Sequence, residues 1–469
     1  MKRNFKYILY SGLVLGTLFS SCKKEFLDQP PYTSTDATIA LATEADVLTA
    51  LNGTYAGLRS ATLYGRTLPL LGDLQADNVF ISTRNSGRYT AQNLNNFISN
   101  NADVLGIWQN AYMVILRANN IINSTPAVTV QANVNQYKGE AYAIRALMYF
   151  ELVRTFARPY TDTPTGLGVP IVTGFNIDAK PARATVDAVY TQILADLDQA
   201  YTLCTLKPTT ARLSKYAARA LAAKVNLTKG TPASLQLAYD QSVEVINSSG
   251  TTLLTAANFT TYWTTMTAQA SASPNETLFE VVSDQVDNAG FDELAYFYNQ
   301  QGYGDGLTSK TFYDSFSATD VRKSLILVTT RTRAENPAYV VNKYPNISNY
   351  GTKKILRISD VYLIAAESAY DLGRPVDATT YLTRLVAQRD PAATVTEAGA
   401  PLFERIITER RKELAFEGDR LHTLNRLKRD VTGRNGSVTA IPYTNYRRVA
   451  PIPLNELDRN SAVVQNPGY

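Results

Sequence analysis

The stretch ERRKELAFEGDRLHTLNRLKR, Glu409 to Arg429, decides how this chain is read. Arg410 with Glu413, and Glu417 with Arg420, stand three apart and can pair along one helix. Ile407, Leu414 and Leu421 recur on an apolar face, so the spacing predicts an amphipathic helix carried through the stretch. Glu409, Glu413 and Glu417 are carboxylates of the kind a glycosidase pairs as acid and base. Interleaved with arginines they would be held ionised, whereas a general acid needs a raised pKa. The stretch therefore reads as structural. His422, the sole histidine, falls inside it as a surface or interhelix residue.

Working outward, the helical patterns come in pairs. Ser214 to Lys229, SKYAARALAAKVNLTK, stops at Gly230, a natural C-cap, and a second helix follows from about Ala233 to Ile246. Arg357 to Leu372, RISDVYLIAAESAYDL, stops at Gly373 and is followed past Pro375 by a helix from about Asp377 to Arg389. Ala222 and Ala365 each lie eight residues before the capping glycine, and Ala238 and Ala378 each lie eight before Ile246 and Val386. Small residues at fixed points of a helix hairpin allow close approach, as in tetratricopeptide repeats. Further helices are expected at about Glu44 to Leu58, Val104 to Ile122, Val134 to Phe156 and Val186 to Leu203. The fold class is mainly α, with hairpins near 186–248 and 357–389 as scaffold. Between about Ser248 and Lys354 helical periodicity weakens and strand-like runs appear at Thr277 to Val282 and Leu325 to Thr330. Loops on a rigid helical scaffold are where binding usually resides.

At the other end of the chain, Lys2, Arg3 and Lys6 precede an apolar run from Ile8 to Phe19, then Ser20, Ser21 and Cys22. About a dozen apolar residues cannot span a bilayer core of ~30 Å, which takes ~20 in a helix. Residues 1–21 read as a lipoprotein signal peptide and Cys22 as the acylated N-terminus of the mature chain. Residues 22–35, with the paired Pro30 and Pro31, form a tether, and 36–469 one large body, since no charged or Pro/Gly/Ser-rich linker divides it. Without residues 1–21 the net charge falls from +5 to +2. That balance offers no electrostatic argument for nucleic acid. Cys204 would have no partner for a disulfide and reads as buried packing. One histidine and one free cysteine leave little material for a nucleophilic triad or a zinc site, and no cofactor is expected.

Taken together, these stretches resemble the SusD/RagB family, the outer-membrane nutrient-binding lipoproteins of Bacteroidetes. The motif at Glu409, RISDVYLIAAESAYDLG from Arg357, GEAYAIRALMYFELVRTFA from Gly139, GVPIV at Gly168 and the terminal QNPGY from Gln465 occur in the expected order. The family often has an aspartate and a tryptophan where this chain has Thr423 and Lys428. The resemblance implies a SusD-like helical fold at the cell surface that binds oligosaccharide without catalysis and hands it to a SusC-type TonB-dependent transporter. Two other classes stay open: a helical-repeat protein that binds peptide or protein, as in the RagB branch, and a carboxylate-dependent glycoside hydrolase.

Tyrosine is in excess, 29 residues against 16 Phe and 2 Trp. A tyrosine supplies a flat ring for the apolar face of a sugar and a hydroxyl for its edge. The densest candidate is FDELAYFYNQQGYGDG, Phe291 to Gly306, with Tyr296, Tyr298, Tyr303 and Asp305. If the segment is a strand, Tyr296 and Tyr298 share one face and pack inward. A second candidate is GDLQADNVFISTRNSGRY, Gly72 to Tyr89, where Asp77, Asn78, Arg84 and Arg88 can bond hydroxyls. Trp108 reads as core; Trp263 is undecided.

Overall fold

The computed structural model describes residues 40–205, 209–264, 275–345 and 351–469. The leader, Cys22 and the tether lie outside the described residues. Helix α1 (Glu44–Leu58) opens on a capping box: the Thr43 hydroxyl accepts from the Asp46 amide, and the Asp46 carboxylate accepts from the Thr43 amide. After the short α2 (Thr67–Leu74) come the long α3 (Ala102–Asn123) and α4 (Gln131–Phe156), then α5 (Val186–Leu203). Gly139 lets α4 and α5 meet, because a Cβ there would sit 2.7 Å from the Cys204 sulfur. Cys204 is thus wholly buried packing, and burial raises its thiol pKa.

The expected hairpins follow. Helix α6 (Lys215–Lys229) is capped by Ser214 and ends at Gly230 with φ +68°; α7 (Pro232–Ser248) begins on the Thr231 cap with proline in its first turn. Beyond α8 (Ala256–Thr264) and the one-and-a-half-turn α9 (Leu294–Tyr298), α10 (Ile358–Asp371) and α11 (Pro375–Arg389) repeat the layout around Gly373, φ +72°. Ala238 of α7 packs with Ala223, Leu227 and Ile364, and Ala378 of α11 packs with Leu363, Ala366 and Leu382. Ala238 and Ala378 are thus packed points of their hairpins, and Ala222 and Ala365 are buried as well. No helix among the described residues is long and apolar enough to cross a membrane.

The stretch that opened the sequence reading is not one helix. Helix α12 (Ala400–Glu413) ends, a turn spans 414–419 with Phe416 at φ +69° and Gly418 at φ +85°, and α13 (Arg420–Arg426) starts afresh. The break is tertiary in origin. Gly72 of α2 lies so close to the Gly418 carbonyl that a side chain at 72 would collide with it, and the Asp73 carboxylate accepts the Gly418 amide at 2.7 Å. The expected i,i+3 pairs are replaced by long-range ones: Arg410 bonds Asp360 and Glu367, and Arg420 bonds Asp77. Ile407, Leu414 and Leu421 are buried as the apolar pattern demands. His422 is half-buried, and burial, with the charge of Arg154, holds its imidazole pKa well below the ordinary value.

The segment between the hairpins contributes to two small sheets, one of which also takes in β1 from ahead of both. Strands β1 (Phe80–Ile81), β3 (Gly306–Thr308), β5 (Ala338–Val341) and β4 (Ile326–Thr329) pair antiparallel in the spatial order β1-β3-β5-β4, while β2 (Thr277–Val281) pairs with β6 (Lys353–Arg357). Pairing β1 with β3 sets Phe80 against Leu307, more than two hundred positions apart in the chain. This register brings the two candidate segments together.

Candidate functional site

Leu294–Tyr298 is helical, so Tyr296 and Tyr298 point to opposite sides instead of sharing a strand face. Tyr296 stays half-exposed. Tyr298 is 0% exposed, stacked on Tyr344 at 6.3 Å, with its hydroxyl lacking a hydrogen-bond partner. After Tyr298 the chain doubles back: the Tyr303 amide donates to the Tyr296 carbonyl at 2.8 Å. Only glycine fits at 302, where a Cβ would strike that same carbonyl, and Gly304 has φ +60°.

The result is a row of rings at the surface. Phe291, 61% exposed, meets Tyr296 at 5.1 Å between centroids, and Tyr296 meets Tyr303 edge to face at 5.2 Å. From the other segment, the Arg88 guanidinium lies 3.8 Å over the Tyr303 ring and donates to its hydroxyl at 3.0 Å. Phe291 was not singled out from the sequence, although it opens the aromatic-rich segment; it follows Gly290, which has φ +58°.

The other expected site residues are buried. Asp305, 0% exposed, accepts the Ser86 amide at 2.9 Å and the Ser86 hydroxyl, fastening the second loop to the first. Asp77 is buried and gripped at both oxygens by Arg420, at 2.7 and 2.9 Å. Burial would raise its pKa, but Arg420 and Arg411 bring it below the ordinary value. Asn78 is buried too, donating to Asp73 at 2.6 Å and accepting from Arg411 at 2.8 Å. Tyr298, Asp305, Asp77 and Asn78 therefore do not lie on a solvent-facing surface. Each is closed in by partners from distant parts of the chain. Of the expected residues, Tyr296, Tyr303 and Arg88 are brought together in reach of solvent, with Arg84 exposed beside them.

Deeper in, the acids of the 409–417 stretch meet arginines. Glu413 bonds Arg389 at 2.9 Å and Arg357 at 2.8 Å, and Glu409 bonds Arg322 at 2.6 Å. Burial pushes the Glu413 carboxyl up, yet Arg389, Arg357 and Arg322 together hold it well below the usual carboxylate range. It is a fixed charge, not a proton donor. Glu417 bonds Arg357 and Lys343, each at 2.6 Å. Trp263 is buried with Lys343, Lys354 and Arg357 at 4.1, 4.8 and 5.0 Å from its ring, and Trp108 is buried as expected. Asp73 differs: burial pushes its carboxyl up to about 7 despite the bonds from Asn78 and Gly418.

Comparison with known proteins agrees with this architecture. Residues 25–227 match a family described as starch-binding and associating with the outer membrane, and residues 256–469 match the SusD family. SusD-like protein P2 of Formosa agariphila is 30% identical over 91% of this chain and 93% of its own length. A SusD superfamily protein of Bacteroides vulgatus superposes with a TM-score of 0.84 at 28% identity, covering 91% of this chain and 99% of its own. A second protein of that organism, given a provisional sugar-binding description, superposes with a TM-score of 0.83 at 29% identity, covering 92% and 99%. Since the two family matches fall on successive halves of the sequence and P2 is related along nearly its whole length, the chain belongs to the SusD family.

Proposed function

We propose that the protein is a cell-surface lipoprotein that binds oligosaccharide on the Phe291–Tyr296–Tyr303 ledge and passes it, uncleaved, to a SusC-type TonB-dependent transporter. The observation that carries the reading is the ledge itself: three aromatic rings in one row at the surface, beside an arginine, on a chain of the SusD family. Rings of this kind cover the apolar faces of sugars while hydroxyl and guanidinium groups meet their edges. In this reading the signal peptide 1–21 is removed, Cys22 carries the acyl chains, and the tether 22–35 lets the single body 36–469 move over its membrane partner. Several acyl chains at ~0.8 kcal/mol per buried CH₂ hold a protein durably to a membrane.

Titrating the purified protein with panels of glycans and peptides, while assaying for new reducing ends, tests the central claim. Saturable glycan binding with no new reducing ends is expected. Binding of peptides alone, or release of reducing ends, would replace this reading with one of the two other classes. Radioactive palmitate should label the wild type and not Cys22→Ala. Co-purification with a transporter porin from detergent-solubilised outer membranes is the corresponding check on the partner.

A further inference from the structure

We infer that the ledge is built for an acidic glycan, one bearing uronate carboxylates or sulfate esters; the inference rests on the glycan-binding reading above. The supporting observation is an imbalance in charge pairing. Arg84, Arg88, Arg331 and Arg333 lie on the two loops that flank β1 and β5, and none of them forms an ion pair among the described residues. Arg331 is buried and donates only to backbone carbonyls, of Gly304 at 2.8 Å and Arg84 at 3.2 Å. It thereby ties the turn after Tyr303 to the loop that carries Arg84 and Arg88. Arg84 and Arg333 are exposed.

The acids close to these arginines are already engaged by other groups. Asp305 is buried under Ser86. Glu335 accepts from the Ser82 hydroxyl at 2.7 Å and the Thr83 amide at 2.8 Å. Asp292, next to Phe291, is paired with Arg66. Asp305 and Glu335, held by neutral donors, lie close enough to buried Arg331 to offset its charge, and Asp292 is taken by Arg66, so Arg84 and Arg88 are the arginines by the ledge without a carboxylate in ion-pair reach among the described residues.

Arg88 is also held in a pose suited to an oxyanion. Its guanidinium lies over the Tyr303 ring, with one bond to that hydroxyl and one to the Ser86 hydroxyl, each at 3.0 Å. A guanidinium has five N–H groups, so three remain for a ligand. Stacking fixes the planar fork that carboxylates and sulfates accept in bidentate fashion, and less freedom is then lost on binding. Arg88 also covers one face of Tyr303, which leaves sugar stacking to Phe291 and Tyr296.

The test uses matched pairs: oligogalacturonate against its carboxyl-reduced counterpart of equal length, and sulfated against desulfated carrageenan oligosaccharides, each titrated calorimetrically into the purified protein. The acidic member of at least one pair should bind about tenfold or more tightly than its neutral partner, as charge-assisted bonds imply. That advantage should shrink as ionic strength rises, and which pair shows it separates carboxylate from sulfate. The Arg84→Gln/Arg88→Gln double variant should lose the advantage with its melting temperature unchanged. Arg84→Gln alone, at an exposed position, should lose part of it. Equal affinity within both pairs, or a full preference retained by the folded variants, would overturn the inference and leave the glycan reading standing. No binding by any of the four probes would overturn both.

Discussion

The buried cluster around Glu413 and the surface ledge around Tyr303 are built from the same residue types, and they behave oppositely. In the cluster, Arg322, Arg357 and Arg389 each meet carboxylates within 3 Å, and every one of these side chains is excluded from water. At the ledge, Arg88 meets an aromatic face and two hydroxyls, and its charge is left without a partner. An arginine whose counter-charges lie inside the protein fixes the fold. One whose counter-charge is missing, at a surface lined with rings, is available to a ligand. The contrast lies in how completely each charge is matched, which residue type alone does not reveal.

The comparison can be broken most severely at Glu413. Glu413→Ala would leave three arginines buried around an empty place, and breaking buried pairs in this way costs about 3–5 kcal/mol. Urea unfolding should report a loss of that order, with glycan affinity per folded molecule unaltered. A lowered affinity at intact stability would mean that cluster and ledge are not separate.

Asp73, beside the turn that follows Glu413, accepts from the Gly418 amide on one side and from Asn78 on the other. Its folded pKa of about 7 lies above the ordinary carboxylate value. Its contribution to stability is therefore fully present below about pH 4 and is lost as pH rises through 7. Between those limits Asp73→Asn should gain on the wild type by up to ~4 kcal/mol, at about 1.4 kcal/mol per pKa unit. Parallel stability–pH curves for the two proteins would show that Asp73 is not the group responsible.

At the ledge the expected effects move from stability to affinity. Phe291→Ala and Tyr296→Ala should each weaken glycan binding by ~1–3 kcal/mol, by analogy with aromatic stacking on nucleobases, while the melting temperature holds. Unchanged affinity in both would remove the ledge from the binding surface. The smallest effect belongs to Tyr298, whose buried hydroxyl has no partner. Tyr298→Phe should leave stability within about 1 kcal/mol and leave binding untouched, because removing an unsatisfied buried hydroxyl sacrifices no bond. A marked loss of glycan affinity would return Tyr298 to the site.

How far the sequence could be read depended on the range of the interactions. The caps at Ser214 and Thr231 were seen only in the structure, while the helices of both hairpins and their stops at Gly230 and Gly373 were legible within a few residues. Each is set by contacts one turn away. The aromatic segment was found as a segment, but which of its rings face water was not. The helix at Leu294–Tyr298 put Tyr298 inside and left Tyr296 at the surface, and that helix is too short to declare itself by periodicity.

The sequence by itself determined the mainly α architecture, the places where helices touch through alanine, and the family, because local propensity and a repeated apolar pattern carry those. Only the tertiary structure decided that the 409–429 stretch breaks at Gly418, that Asp77, Asn78 and Asp305 turn inward, and that Arg88 arrives over Tyr303. Those outcomes depend on partners 200 or more positions away along the chain, such as Ser86 with Asp305 or Asp77 with Arg420. A side chain settles where a distant segment can satisfy its charge or hydrogen bonds, and the chain must fold before that segment is near.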